Sequence, residues 1–378
     1  MLYWLLYQKL FPYFHPFRIF RYLTFRTAFA SLTALLIALF IGPFVIDKLR
    51  QFQISQYIRE EGPESHKKKS GTPTMGGVLI AIAILLPTLL WSDLSNWFVW
   101  LIMLSTVAFG AIGFADDYIK VVKRRNLGLT ARAKLFWQVV VSLLISFALI
   151  GLQQFRLFST RITVPFVKSF HPDMTWPWLG SVTHFGLLAF LPFVIFVTLV
   201  IVFSSNAVNL TDGLDGLAIG CTIIAAGALT VLTYVSGHVV FADYLELQRM
   251  PLVGEITVFC GAMVGASIGF LWYNAHPAEV FMGDVGSLAL GGAIATVAVV
   301  IRQELLLPFI GGIFVLEALS VILQVGSYKL RGGKRIFKMA PLHHHFELIG
   351  WHESKVIARF WIAALVFALF ALTTLKLR

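Results

Sequence analysis

Ten apolar runs of about 20 residues constrain this chain more than any other feature; they lie at 24–46, 74–92, 97–115, 135–154, 186–205, 216–236, 256–273, 286–302, 305–327 and 355–375. At about 1.5 Å per helical residue, each run can cross a hydrocarbon layer roughly 30 Å thick. A helix satisfies every backbone group inside such a layer without borrowing a partner strand. Hydrophobic residues make up 58% of the chain and charged residues 13%, with 34 Phe and 10 Trp, which leaves too little polar surface for a water-facing globule. The expected fold class is all-α: a polytopic integral membrane protein of about ten transmembrane helices in the lipid bilayer.

No internal repeat, low-complexity tract or linker divides the sequence, so a single transmembrane domain is expected over 1–378. Residues 1–22 are interrupted by Lys9, Pro12, His15 and Pro16 and lack a small-residue cleavage site, which marks an interfacial N-terminal segment rather than a signal peptide. The stretch 155–185, with Pro165, Pro172 and Pro177, is expected to be an external loop holding short extended structure.

The formal net charge is +11, yet basic residues in a membrane chain collect on one face for topological reasons, and no nucleic-acid partner is implied. The loops after the first, third and ninth runs carry seventeen Lys and Arg, whereas those after even-numbered runs carry five: Arg156, Arg161, Lys168, Arg249 and Arg302. This bias puts the odd-numbered loops in the cytoplasm and both termini outside, against the smaller pull of Lys9, Arg18 and Arg21. Cys221 and Cys260 sit in apolar stretches with no Cys-x-x-Cys or Cys/His spacing, so neither a disulfide framework nor a zinc site is expected.

Five of the few acids cluster in odd-numbered loops. Asp116 and Asp117 end the third run, Asp212 and Asp215 lie in the loop 209–216, and Asp284 opens the eighth run within 281–287. Two adjacent carboxylates at a helix C-terminus repel each other and the negative end of the helix dipole, so a cation is expected beside them; Lys120, Lys123, a divalent ion or a substrate would serve. A bland alternative for each acid exists, a solvated helix end for the pair and an N-cap for Asp212, Asp215 or Asp284. Capping accounts for one carboxylate per loop, not for two with an Asn. Hard oxygen donors from separate loops, glycine-rich turns at helix N-termini and nearby lysines suit a Mg²⁺-diphosphate. The turn 71–77 after Lys67, Lys68 and Lys69 fits a phosphate in the same way, the alternative being a simple positive-inside anchor. His343, His344 and His345, with Glu347 and His352 following, lack zinc-site spacing and suit a loop bordering phosphate or sugar; a basic hairpin without chemistry is the competing view.

Taken in order, Lys69 with 70–77, Phe114 to Tyr118 with Lys120 and Lys134, the 209–216 loop, Asn274, 281–287 and 341–347 resemble the phospho-N-acetylmuramoyl-pentapeptide transferase family. That family is a branch of the polyprenyl-phosphate sugar-1-phosphate transferase superfamily, and the Pro-Leu-His-His-His-Phe-Glu stretch marks the branch. The resemblance runs through most of the chain. It implies ten transmembrane helices, a homodimer, a cleft on the cytoplasmic face of a bacterial inner membrane, and a groove for a polyprenyl chain. It also implies Mg²⁺-dependent reaction of UDP-N-acetylmuramoyl-pentapeptide with undecaprenyl phosphate to give lipid I and UMP. Carried onto this sequence, it assigns Asp284 to catalysis and Mg²⁺, and Asp116 and Asp117 to the lipid phosphate. Lys69, Thr74, Lys120 and Lys134 are then expected to hold phosphate, and Asn209, Asp212, Gly213, Leu214, Asp215, Asn274 and Phe281 to form the uridine side. Gln324, Ala340, His343 and His344 are expected to border nucleotide and sugar. The stretch 236–255 is longer than compact members of the family lead one to expect. A sister enzyme that moves N-acetylglucosamine-1-phosphate would share the Asp loops but not the His loop. A secondary transporter would carry midplane charges and a repeat, neither of which is evident in the sequence.

Overall fold

The structure is a computed structural model that describes residues 1–51, 71–123, 128–167, 170–178, 186–245, 247 and 249–376. Every expected run contains a helix. They are α1 (Leu23–Gln51), α2 (Gly77–Trp91), α3 (Trp97–Val122), α4 (Ala131–Gln154), α5 (Leu191–Thr211), α6 (Leu217–Gly237), α7 (Ile256–Asn274), α8 (Gly283–Val300) and α9 (Gly312–Leu330). A short α10 (Leu342–Leu348) follows, and α11 (Glu353–Thr373) closes the fold. Local chemistry sets several starts: the Asn96 side chain accepts from Phe98 N at 2.9 Å to cap α3, and Thr130 accepts from Ala133 N at 3.2 Å to cap α4.

Among the described residues, nine helices are long and apolar enough to cross a membrane, and α2 is a shorter apolar helix of 15 residues. The sequence placed its start at 74. Residues 73–77 are instead drawn into backbone pairing with the loop before α8, with Phe281 N donating to Pro73 O at 2.8 Å, Gly76 N to Phe281 O at 2.9 Å and Gly77 N to Met282 O at 2.9 Å. At roughly 22 Å, α2 is therefore shorter than a full hydrocarbon crossing. The ninth run is also divided: a turn of helix at Leu307–Ile310 stops at Gly311 before α9 begins. The expected short extended structure is seen in the described residues of this stretch as an isolated antiparallel bridge between Arg161 and Asp173 and a bond from Ile162 N to Pro172 O at 2.9 Å.

Every residue of α8 from Val285 to Val300 is buried, and all are Gly, Ala, Ser, Thr, Val, Leu or Ile. A helix that is apolar all round belongs at the centre of the bundle, and its many small residues let α3 and α5 approach closely. By contrast, 28–33% of the most apolar stretches of α1, α4 and α5 is buried, so these helices turn Phe40, Phe44, Leu144 and Phe203 outward to lipid. The surplus of apolar residues is thus spent on two surfaces, a packed interior and a lipid-facing rim.

Two buried ion pairs lie at ends away from the Asp loops. Arg26 of α1 pairs with Glu255 before α7, which also accepts from Asp93 N at 2.6 Å, while Arg26 Nη1 donates to Trp91 O at 3.2 Å. Arg302 lies 3.4 Å from Glu304 and packs over the Phe158 ring. Burial pushes the Glu304 carboxyl up to about 7 even though Arg302 works against it.

Candidate active site

Two helices supply the acids. Asp116 and Asp117 sit near the C-terminal end of α3, and Asp284 sits in the first turn of α8, where the exposed N–H groups and positive dipole end favour a carboxylate. The backbones meet closely: a Cβ on Gly113 of α3 would stand 2.1 Å from Asp284 O, so only glycine lets α3 lie against this turn. Gly283 has φ +69°, and a Cβ there would be 2.5 Å from Asp117 Oδ2 and 2.9 Å from Thr74 Oγ1. That glycine is what lets the turn 281–284 bring Asp284 beside the Asp pair.

The expected cation is Lys120. Its Nζ lies 2.7 Å from Asp116 Oδ2, 3.1 Å from Asp117 Oδ1 and 2.9 Å from Asp284 Oδ2. Lys134, at the start of α4, adds a second ammonium 2.8 Å from Asp284 Oδ2. Backbone donors complete the set, with Leu129 N bonding Asp116 Oδ1 at 2.7 Å and Val285 N bonding Asp117 Oδ2 at 3.2 Å. The three acids can each offer an oxygen within 4.8 Å of the others. Such a nest of hard oxygens, already holding positive charge, suits a Mg²⁺ ion, and the adjacent ammonium groups suit phosphate.

The 209–216 loop is tied to this nest. Asn209 Nδ2 donates to Asp284 Oδ1 at 2.7 Å and to Ser287 Oγ at 2.9 Å. Asp212 is half-buried; desolvation, then the carboxylates of Asp284, Asp117 and Asp215, hold its carboxyl well above the usual carboxylate range. Asp215 and Leu214 are buried, and Gly216 N donates to Asn274 Oδ1 at 3.0 Å while Asn274 Nδ2 donates to Val280 O at 2.8 Å. Asn274 therefore links two site loops from within. Phe281 is half-buried beside them, and Thr74 is buried at 8% exposure.

The chain after α9 folds back along that helix. Ser327 Oγ donates to Lys334 O at 2.9 Å, Gln324 Nε2 donates to Phe337 O at 2.9 Å, and Gln324 Oε1 accepts from Ile336 N and Phe337 N at 3.0 Å. This return brings α10 into the bundle. His343 becomes wholly buried, with its Nδ1 3.2 Å from Glu317 Oε2 and its Nε2 against Gly213. His344 and Ala340 are half-buried, and His344 Nδ1 lies 2.8 Å from Glu347 Oε2. Lys69 falls outside the described residues.

Three acid–base groups escaped the sequence reading. Glu317 is a fully buried acid within α9, and a lone acid inside an apolar run is signal enough to have flagged it. It also qualifies the reading of the spans as nearly free of charge. Glu353 and His276 join Asp215 in a second cluster whose ligand atoms lie within 4.8 Å of one another. Glu353 could have been suspected as an acid opening a helix, whereas His276 carries no local signal.

Comparison with known proteins gives the family. Residues 99–302 match the model of glycosyl transferase family 4, and 69–80 match phospho-N-acetylmuramoyl-pentapeptide-transferase signature 1. The chain is 82% identical over 378 residues to the phospho-N-acetylmuramoyl-pentapeptide-transferase of Acidobacterium capsulatum, with 100% of each chain covered. It is 74% identical to the protein of that name from Koribacter versatilis and 63% identical to the one from Solibacter usitatus, again over the whole of both chains.

Proposed function

The chain belongs to the phospho-N-acetylmuramoyl-pentapeptide-transferase family, and on that premise we propose that it moves phospho-N-acetylmuramoyl-pentapeptide from UDP-N-acetylmuramoyl-pentapeptide to undecaprenyl phosphate. The products are lipid I and UMP. Its setting is a bacterial inner membrane with the site toward the cytoplasm, as the excess of Lys and Arg in the odd-numbered loops supports, and its assembly is a homodimer.

The chemistry is phosphoryl transfer between two polyanions, so positioning and charge compensation dominate. An oxygen of the lipid phosphate attacks the phosphorus that bears the sugar. The bond from that phosphorus to the bridging oxygen breaks, UMP leaves with the electron pair, and a diphosphate joins sugar to lipid. Asp116 and Asp117 orient the lipid phosphate for in-line attack. Lys120 and Lys134, freed in part from the acids when phosphates arrive, hold phosphate oxygens, and Thr74 and Lys69 extend that cradle. Asp284 is the residue that would hold Mg²⁺, with Asp116 and Asp117 beside it; the ion would neutralise charge on the diphosphate and on departing UMP. The loop with Asn209, Asp212, Gly213, Leu214 and Asp215 forms the nucleotide side with Phe281 and Asn274. Gln324, Ala340, His343 and His344 border nucleotide and sugar, His343 by supporting Gly213 from beneath.

The observation that carries this reading is the convergence of Asp116, Asp117 and Asp284 on two lysines, in a chain of this family. A test uses the purified chain in detergent with undecaprenyl phosphate, Mg²⁺ and a fluorescent UDP-N-acetylmuramoyl-pentapeptide. Fluorescence should pass into an organic-extractable lipid in step with UMP release, and folded protein that forms no such lipid refutes the proposal.

A further inference from the structure

In the second acid–base cluster, Glu353 and His276 have no part in the chemistry above, yet both are fastened to Asp215 of the nucleotide loop. Glu353 is the first residue of α11, and its carboxylate is turned inward at 8% exposure. Its Oε1 accepts from Asp215 N at 3.2 Å. The Asp215 carboxylate, itself 4% exposed, accepts through Oδ2 from Ala278 N at 3.1 Å. His276 Nδ1 lies between the two acids, 3.1 Å from that same oxygen and 3.5 Å from Glu353 Oε2. Three separate stretches, the loop after α5, the loop after α7 and the start of α11, are thereby joined at one point.

Burying two carboxylates this close is unfavourable unless donors and positive charge offset them. Here the positive end of α11, the Asp215 and Ala278 amides and the His276 ring supply that offset. An arrangement with this cost needs a return, and the return is conformational. Asp215 closes a loop whose other end, Asn209, is bonded to Asp284, and Asp212, Gly213 and Leu214 lie between those two anchors. One anchor belongs to the phosphate chemistry and the other to Glu353 and His276.

We infer that Glu353 and His276 are positioning residues that hold Asp215 and so fix the shape of the nucleotide side of the 209–216 loop. The inference rests on the reading of that loop as the uridine side. Neither side chain is required to touch substrate. Loss of either support lets the loop sample shapes that grip the nucleotide poorly, while Asp284 and its lysines stay in place.

The test measures UMP binding by calorimetry, Mn²⁺ binding, and KM and kcat for the UDP-linked donor on the full chain in detergent. The variants are Glu353→Ala, Glu353→Gln and His276→Ala. Glu353→Ala and His276→Ala should weaken UMP binding and raise KM roughly tenfold or more, the scale of one lost buried hydrogen bond with its partner left unsatisfied. In both, kcat should stay within about threefold and Mn²⁺ affinity should be unchanged, because the acid nest is not touched. Glu353→Gln keeps an oxygen to accept from Asp215 N and should recover most of the UMP affinity. His276 is half-exposed, so its variant keeps the test open if Glu353→Ala does not fold. UMP affinity equal to wild type in the alanine variants overturns the inference, as does a fall in kcat and melting temperature with KM unmoved. Wild-type protein that binds no UMP overturns the nucleotide reading itself, and the inference with it.

Discussion

Replacing Asp284 by Asn probes the site at its most connected acid. The carboxylate takes Lys120 at 2.9 Å, Lys134 at 2.8 Å and Asn209 at 2.7 Å. The amide is the same size, so α8 and its close approach to α3 should be kept. What changes is charge: one oxygen is lost as an acceptor, and the other becomes neutral. Two ammonium bonds at about 1.5–3 kcal/mol each are weakened, for a gross change of about 3–6 kcal/mol. Lys120 retains Asp116 and Asp117 and recovers part of this, which leaves about 4 kcal/mol. Expressed in the transition state, that is a loss of about 10³-fold in kcat. Continuous UMP release at saturating donor measures it, with the melting temperature confirming the fold. Asp284→Asn protein that melts like wild type and turns over within tenfold of it would refute the assignment of Asp284 to the reacting phosphates.

Other outcomes follow from the same contacts. Gly283→Ala forces a Cβ into Asp117 and Thr74 at a positive φ, costing about 1–3 kcal/mol in strain and at least about tenfold in UMP release, read by turnover and thermal melting. Arg26→Met leaves Glu255 buried and unpaired, so the melting temperature should fall by an amount equivalent to about 3–5 kcal/mol while KM for the nucleotide donor stays put. Burial pushes the Glu304 carboxyl up from the usual carboxylate range to about 7 in the folded chain. Its raised value means that stability is full at low pH and lost as pH rises through about 7, by up to about 3 kcal/mol. Melting temperature in detergent should decline between about pH 5 and pH 8, and Glu304→Gln should flatten that decline.

The spans were legible because a bilayer imposes one length and one polarity on every crossing segment. α2 departs from the expected start because Pro73 and Gly76 pair with Phe281, a contact more than 200 residues distant that hydropathy does not encode. The same holds in the site. Asp116, Asp117, Asp284 and Lys120 could be gathered from alternation alone, since each ends or begins a run on one face. His343 could not be placed under Gly213 without knowing that 331–342 folds back along α9 to reach Glu317. Glu353 and His276 could not be given a role for a related reason: their meaning lies in Asp215, which belongs to another loop. Local chemistry marks a residue as unusual, whereas only the assembled bundle says which unusual residues are neighbours.

The most direct measurement offers two donors side by side to the purified chain with undecaprenyl phosphate and Mg²⁺, and follows UMP release. UDP-N-acetylmuramoyl-pentapeptide should be turned over, with release abolished by a chelator and restored by added Mg²⁺, while UDP-N-acetylglucosamine should give none. Release from UDP-N-acetylglucosamine alone, or from neither donor by folded protein, would contradict the account.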